Sequence, residues 1–168
     1  MNYHYAMINM NLTGVVEVWG KEDCLIQLKI TTDYAIRIIL FLSMESGVVS
    51  SKELADKLGM TQNMVLKIGK DLNAEKLIKS TTGVDGGFQL IKDPDEIRLL
   101  DVIKITEPTI QINRCLEKDH YCSRNATDTC PVRKVYCSIQ KILEDSLRNV
   151  TFKDLLDDKN TKAKGENL

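Results

Sequence analysis

The chain has only two histidines, His4 and His120, and nowhere do a nucleophile, a base and an orienting group recur at a recognisable spacing. A glycine loop of the kind that cradles phosphates is also missing. Both absences argue against an enzyme. No apolar run is long enough to span a bilayer, and the N-terminus lacks the basic stretch and apolar core of a secretory signal. The five cysteines are an odd number and contain no C-x-x-C pair, which excludes a simple disulfide framework and the usual structural zinc site. A reducing cytoplasm with no membrane partner is the expectation, and there clustered cysteines serve as metal ligands or redox centres. Excess positive charge is lacking too. With a formal net charge of -1 over 168 residues, any surface that binds nucleic acid has to be local.

One stretch supplies such a surface. Ser50 to Lys92 carries seven lysines against five acids, whereas Asp93 to Cys130 carries eight acids against five basic residues. Within the first stretch, Ser50 and Glu53 stand at capping-box spacing ahead of an apolar face of Leu54, Ala55 and Leu58. Gly59 can take the positive φ of a sharp helix end, and Thr61 can cap the next helix. Val65, Ile68 and Leu72 fall on one side of that second helix, leaving Gln62, Asn63, Lys67 and Lys70 outward. Side-chain amides can pair with an adenine edge in a major groove while lysines reach phosphates. Leu77 and Ile78, then Gly83, Gly86 and Gly87, then Phe88 to Ile91 read as strand, glycine turn, strand. Together these predict a winged helix-turn-helix that binds double-stranded DNA. A helical pair and hairpin without a ligand is the bland alternative, because the same geometry serves in protein-interaction domains.

Around this head, residues 1–27 show no sustained period and are read as an N-terminal extension, of which about the first 24 residues are expected to lie outside the working protein. A start codon upstream of the true one is one explanation, and a genuine extension packed on a dimer is the other. Thr31, Thr32 and Asp33 offer a cap for a helix with Ala35, Ile38, Ile39 and Leu42 on one face. A winged helix-turn-helix domain is assigned to 28–107, with a short helix from Leu100 to Glu107 that Pro108 closes. Residues 108–130 form a cysteine-bearing loop with Cys115, Cys122 and Cys130. Pro131 opens a long helix striped by Val132, Val135, Tyr136, Ile139, Ile142, Leu143 and Leu147, and such a stripe calls for a partner, favoured here as a second copy of the chain, with the chain's own domain as the alternative. Thr151 and Asp154 cap a further short helix, so 131–156 is assigned to dimerisation, and 157–168 is a polar, disordered tail. The fold class is mainly α with a small β-wing.

The three loop cysteines have six and seven residues between them, and Cys137 lies seven positions further on. On spacing alone, an iron-sulfur cluster and free reduced thiols account for them equally. Residues 28 to 156, however, resemble the Rrf-type (BadM, IscR and NsrR) family of bacterial transcriptional regulators. The likeness is carried by LKITTDYAIRIILFL, SSKELADKLGMTQNMVLKIGKDLNAEKLI, GVDGGFQL, LLDVI, the three spaced cysteines and TFKDLL.

The resemblance implies a winged-helix homodimer on a near-palindromic operator, acting as a regulator, most simply a repressor. It implies that Cys115, Cys122 and Cys130 ligate an iron-sulfur cluster whose state sets DNA affinity in response to redox change, nitric oxide or cluster supply. Two departures stand out. Where the family's wing commonly carries an arginine, this chain has Thr82, Gly83, Val84 and Asp85. Where the two-iron type has a histidine, it has Arg133. Asp33 matches an aspartate ligand of the NsrR type, which favours a four-iron cluster with Asp33 of the partner subunit as fourth ligand; an ordinary first-turn acid is the alternative. His120 and Cys137 are secondary candidates, His120 read as solvated and Cys137 as a bystander. The candidate DNA-facing set is Gln62, Asn63, Lys67, Lys70, Thr82 and Gly86. Rival readings are a cluster-free regulator governed by thiol oxidation or a partner protein, and a metal-bound interaction module.

Overall fold

The computed structural model of the chain describes residues 7–10, 16–19, 27–83 and 85–157. Strands β1 (Met7–Met10) and β2 (Val16–Trp19) pair antiparallel, with Met7 opposite Trp19. The strands are four residues each, too short to raise a sustained period in the sequence. Cys24 and the tail beyond Asp157 lie outside the described residues, although Asp157 itself ends a helical stretch at 152–157.

Helices α1 (Ile30–Leu42), α2 (Ser51–Leu58) and α3 (Gln62–Ala74) are followed by a hairpin of β3 (Ile78–Thr81) and β4 (Gly87–Leu90). The hairpin pairs antiparallel, Ile78 opposite Leu90, and Val49 joins its edge through backbone bonds to Phe88 of 2.8 and 2.9 Å. Local chemistry accounts for the turn between α2 and α3. Ser50 Oγ accepts from the Glu53 N–H at 3.1 Å, Gly59 closes α2 at φ 66°, and Thr61 Oγ1 accepts from the Met64 N–H at 3.3 Å.

The core lies where these elements meet. Ala35, Ile38, Ile39 and Leu42 of α1 pack with Leu54 of α2, with Val65, Ile68 and Leu72 of α3, and with Ile78 and Phe88 of the wing. Each large side chain so buried stabilises the fold by roughly 1.5–3 kcal/mol. Gly69 sits inside α3 despite its poor helix propensity because Phe88 occupies the space beside it: a Cβ there would lie 2.4 Å from the tip of the ring. The wing is thereby seated directly on α3.

Helix α4 (Leu99–Thr106) stops one residue earlier than expected, because Glu107 leaves the helix in an extended conformation. The loop that follows contains one 3-10 turn, Arg114–Leu116, and leads into α5 (Pro131–Arg148), with Pro131 in the first turn. The end of α5 is tied to the head: Arg98 Nη1 donates to the Arg148 carbonyl at 2.8 Å, and the Phe152 N–H to the Ile97 carbonyl at 3.0 Å. The Thr151–Asp154 capping box forms in both directions, 2.8 and 3.1 Å, and Phe152 is fully buried.

Candidate functional site

Gln62, Asn63, Lys67 and Lys70 are all exposed on α3, opposite Val65, Ile68 and Leu72, which are buried. Gln62 is not free to swing, since its Nε2 donates to Ser51 Oγ at 2.9 Å across the turn. That bond uses one amide hydrogen and leaves the other, with Oε1, for a two-point contact. Asn73 Oδ1 accepts from the Ser80 N–H at 3.1 Å, locking the end of α3 to β3. Thr82 is exposed at the wing and Gly86 half-buried in its turn. Ser51 and Asn73 were missed in the sequence, where only their polar type was visible.

The cysteine loop is fastened to α5 at two points. Gln140, buried, accepts from the Ile112 N–H at 3.0 Å and donates to the Ile110 carbonyl at 3.2 Å, so its amide pairs with the loop as a strand would. Arg133 Nε donates to the Cys115 carbonyl and its Nη2 to His120 Nδ1, each at 3.2 Å. His120, exposed in the loop, is thereby held by a guanidinium. Asn113 caps the 3-10 turn by accepting from the Cys115 N–H at 3.2 Å, and Arg114 pairs with Asp119 at 2.6 Å.

Cys115, Cys122 and Cys130 are half-buried and unpaired, and Cys137 is exposed. Backbone N–H groups of Ala126 and Arg124 hold the Cys122 thiol below its ordinary value, with help from Thr127 and the Arg124 charge. Among the described residues, no three histidine, cysteine, aspartate or glutamate side chains are gathered at one point. Asp33, on α1, forms an ion pair with Arg37 of the same chain at 2.6 Å.

Loop and head meet at Glu107. Its Oε1 accepts from the Lys29 N–H at 2.8 Å and from Thr32 Oγ1 at 2.6 Å, and Thr106 Oγ1 donates to Thr32 Oγ1 at 2.9 Å. The expected cap from Thr31, Thr32 or Asp33 is thus replaced. Lys29 is the N-cap without a side-chain bond, and a carboxylate from the end of α4 does the capping instead.

Residues 28–158 match Rrf2, a family described as iron-dependent transcriptional regulators. The chain belongs to the Rrf2 family. Among Rrf2 relatives, the transcriptional regulator NsrR of Shouchella clausii is 29% identical over 139 residues, covering 77% of this chain and 88% of that protein. NsrR of Halalkalibacterium halodurans is 30% identical over 139 residues, covering 77% and 90%. The fold is that of CymR, the global cysteine regulator of B. subtilis (TM-score 0.65, 24% identity, 78% of this chain and 96% of that one). It is also that of IscR from T. potens (TM-score 0.63, 23% identity, 80% and 89%). Membership in Rrf2 makes the chain a DNA-binding transcriptional regulator and not an enzyme, and the winged helix-turn-helix with its long C-terminal helix is the Rrf2 architecture. Among the described residues no helix is long and apolar enough to cross a membrane.

Proposed function

We propose that this Rrf2 regulator is a homodimer whose cysteine loop holds an iron-sulfur cluster that tunes its hold on DNA. The observation that carries the reading is a loop with three thiols that leaves the head right after Glu107, the residue that caps α1, and is fastened to α5 at Gln140 and Arg133. The donor set suits such a group. Three thiols stand on irregular chain that can close, and backbone N–H groups shift the Cys122 thiol downward, in the direction of the thiolate that iron requires. Cys115, Cys122 and Cys130 would hold the cluster, with Asp33 of the partner subunit as fourth ligand once Arg37 releases it. When bound, the cluster would supply iron open to oxidation, loss or attack by a small diatomic. A four-iron form is favoured over a two-iron form, because Arg133 stands at the histidine position and is engaged by the Cys115 carbonyl.

The dimer reading rests on α5. Tyr136, Leu143 and Leu147 are half-buried on the chain's own body, whereas Val132, Val135, Ile139 and Ile142 are 44–67% exposed in a row along the helix. An apolar row of that length favours a second copy. Gln62, Asn63, Lys67 and Lys70 would then enter successive major grooves, with Thr82 and Gly86 of the wing beside the backbone.

A second reading has its own support. The thiols of a single chain are not gathered, and the half-buried Cys122 thiol is held below its ordinary value, which eases oxidation, so oxidation of Cys122 without any cluster is the competing switch. Anaerobic reconstitution separates the two. The cluster reading requires visible absorption and bound sulfide in the parent, lost in Cys115→Ala, Cys122→Ala and Cys130→Ala and kept in Cys137→Ala. A parent that takes up neither iron nor sulfide, yet binds DNA in a way that depends on Cys122 oxidation, favours the thiol switch.

A further inference from the structure

We propose that Leu66 is a base-reading residue whose side chain packs on the C5 methyl of a thymine in the major groove. The proposal rests on the reading of α3 as the helix that enters DNA. Leu66 is 47% exposed and is not among the side chains packed on the core. Single exposed leucines are ordinary on protein surfaces, and Val48 and Ile91 are comparably open without a special neighbourhood. What distinguishes Leu66 is its place. On an α-helix, positions 62, 66 and 70 stack on one face, so Leu66 lies between Gln62 and Lys70 and is flanked by Asn63 and Lys67. It is the apolar centre of an otherwise polar, outward face.

An apolar side chain there can make no hydrogen bond to a base edge. Thymine is the base that offers it something else, a methyl group projecting into the major groove. Desolvating that methyl against a leucine is expected to be worth roughly fourfold in affinity. The neighbouring Gln62 amide is pre-aimed by Ser51 and suited to adenine. Leu66 lies one helical turn on, about 6 Å along the axis, so its thymine falls within about two base pairs of the base that Gln62 meets. The reading head is thereby tuned to A·T pairs.

The test uses the full chain and a duplex selected by it from a randomised pool. Each thymine in turn is replaced by deoxyuridine, which removes the C5 methyl and nothing else, and binding is measured for the parent, Leu66→Ala and Gln62→Ala. Thermal melting confirms that each variant folds. We expect one thymine per half-site whose methyl loss weakens the parent about fourfold, a sensitivity absent in Leu66→Ala and retained in Gln62→Ala. Neutral substitution at every thymine in the parent, or a sensitivity that survives in Leu66→Ala, overturns the assignment while leaving α3 as the reading helix. Failure of the pool to enrich any sequence overturns the reading of α3 and this proposal with it.

Discussion

Thr32 Oγ1 donates a 2.6 Å hydrogen bond to Glu107 Oε1, so the last residue before the cysteine loop caps the first helix of the reading head. The cap holds the start of α1, whose buried face supports α2, α3 and the wing. The contact also carries a charge. Burial pushes the Glu107 carboxyl up, but hydrogen bonds from Thr32 and the Lys29 N–H, together with the Lys29 ammonium, hold it below its usual value of 4.5.

A carboxylate depressed in the folded state contributes stability that is complete above its unfolded value and is lost as pH falls through the lowered folded value. Urea denaturation of the parent should therefore show stability declining below about pH 4.5. Glu107→Gln should flatten that part of the decline and cost about 1 kcal/mol at neutral pH, where the charge-assisted cap is gone. A variant with the parent's acid profile would show that Glu107 is not the group responsible.

Gly69→Ala offers a sharper test of how the wing is seated. Alanine is the better helix former by about 1 kcal/mol. Its Cβ would nevertheless meet the Phe88 ring at 2.4 Å, so overpacking should win and the variant should be less stable by about 1–2 kcal/mol. Pairing Gly69→Ala with Phe88→Leu should recover part of that loss, measured as a coupling energy in chemical denaturation.

Arg133 anchors the loop through the Cys115 carbonyl and His120. Arg133→Ala should speed amide hydrogen exchange across residues 113–122 by tenfold or so, an opening cost of about 1.4 kcal/mol, and leave α1 to α3 unchanged. Equal exchange in parent and variant would mean that Gln140 alone holds the loop.

The exposed row on α5 predicts an oligomeric state. Ile139→Glu places a charge in the middle of Val132, Val135 and Ile142 and should convert a dimer to monomer in analytical ultracentrifugation at micromolar concentration. It should also weaken binding to a two-half-site duplex far more than to a single half-site. A parent that sediments as a monomer removes the dimer reading.

The parts of this architecture that were legible in the sequence are those written by neighbours along the chain. Ser50, Gly59 and Thr61 announce the turn between α2 and α3 because caps act within three or four residues. The stripe on α5 declares a long helix in the same way. The parts that were missed are contacts between distant segments. Glu107 caps a helix 75 residues away, Gln140 reaches back 30 residues to Ile110, and Gly69 is explained only by Phe88 across the wing. None of these leaves a period or a cap signal. The cysteines fall between the two cases: their spacing is visible in the sequence, whereas the fastening of their loop to α5 by Arg133 and Gln140 is not.

The central claim, that the state of the cysteine loop sets the hold on DNA, is tested most directly by one titration. Protein reconstituted anaerobically with iron and sulfide, and the same protein stripped of both under reducing conditions, are titrated against the selected duplex at fixed salt. The two forms should differ in affinity by at least about tenfold, a coupling of about 1.4 kcal/mol, with the difference abolished in Cys115→Ala. Equal affinities for the two forms of the parent would contradict it.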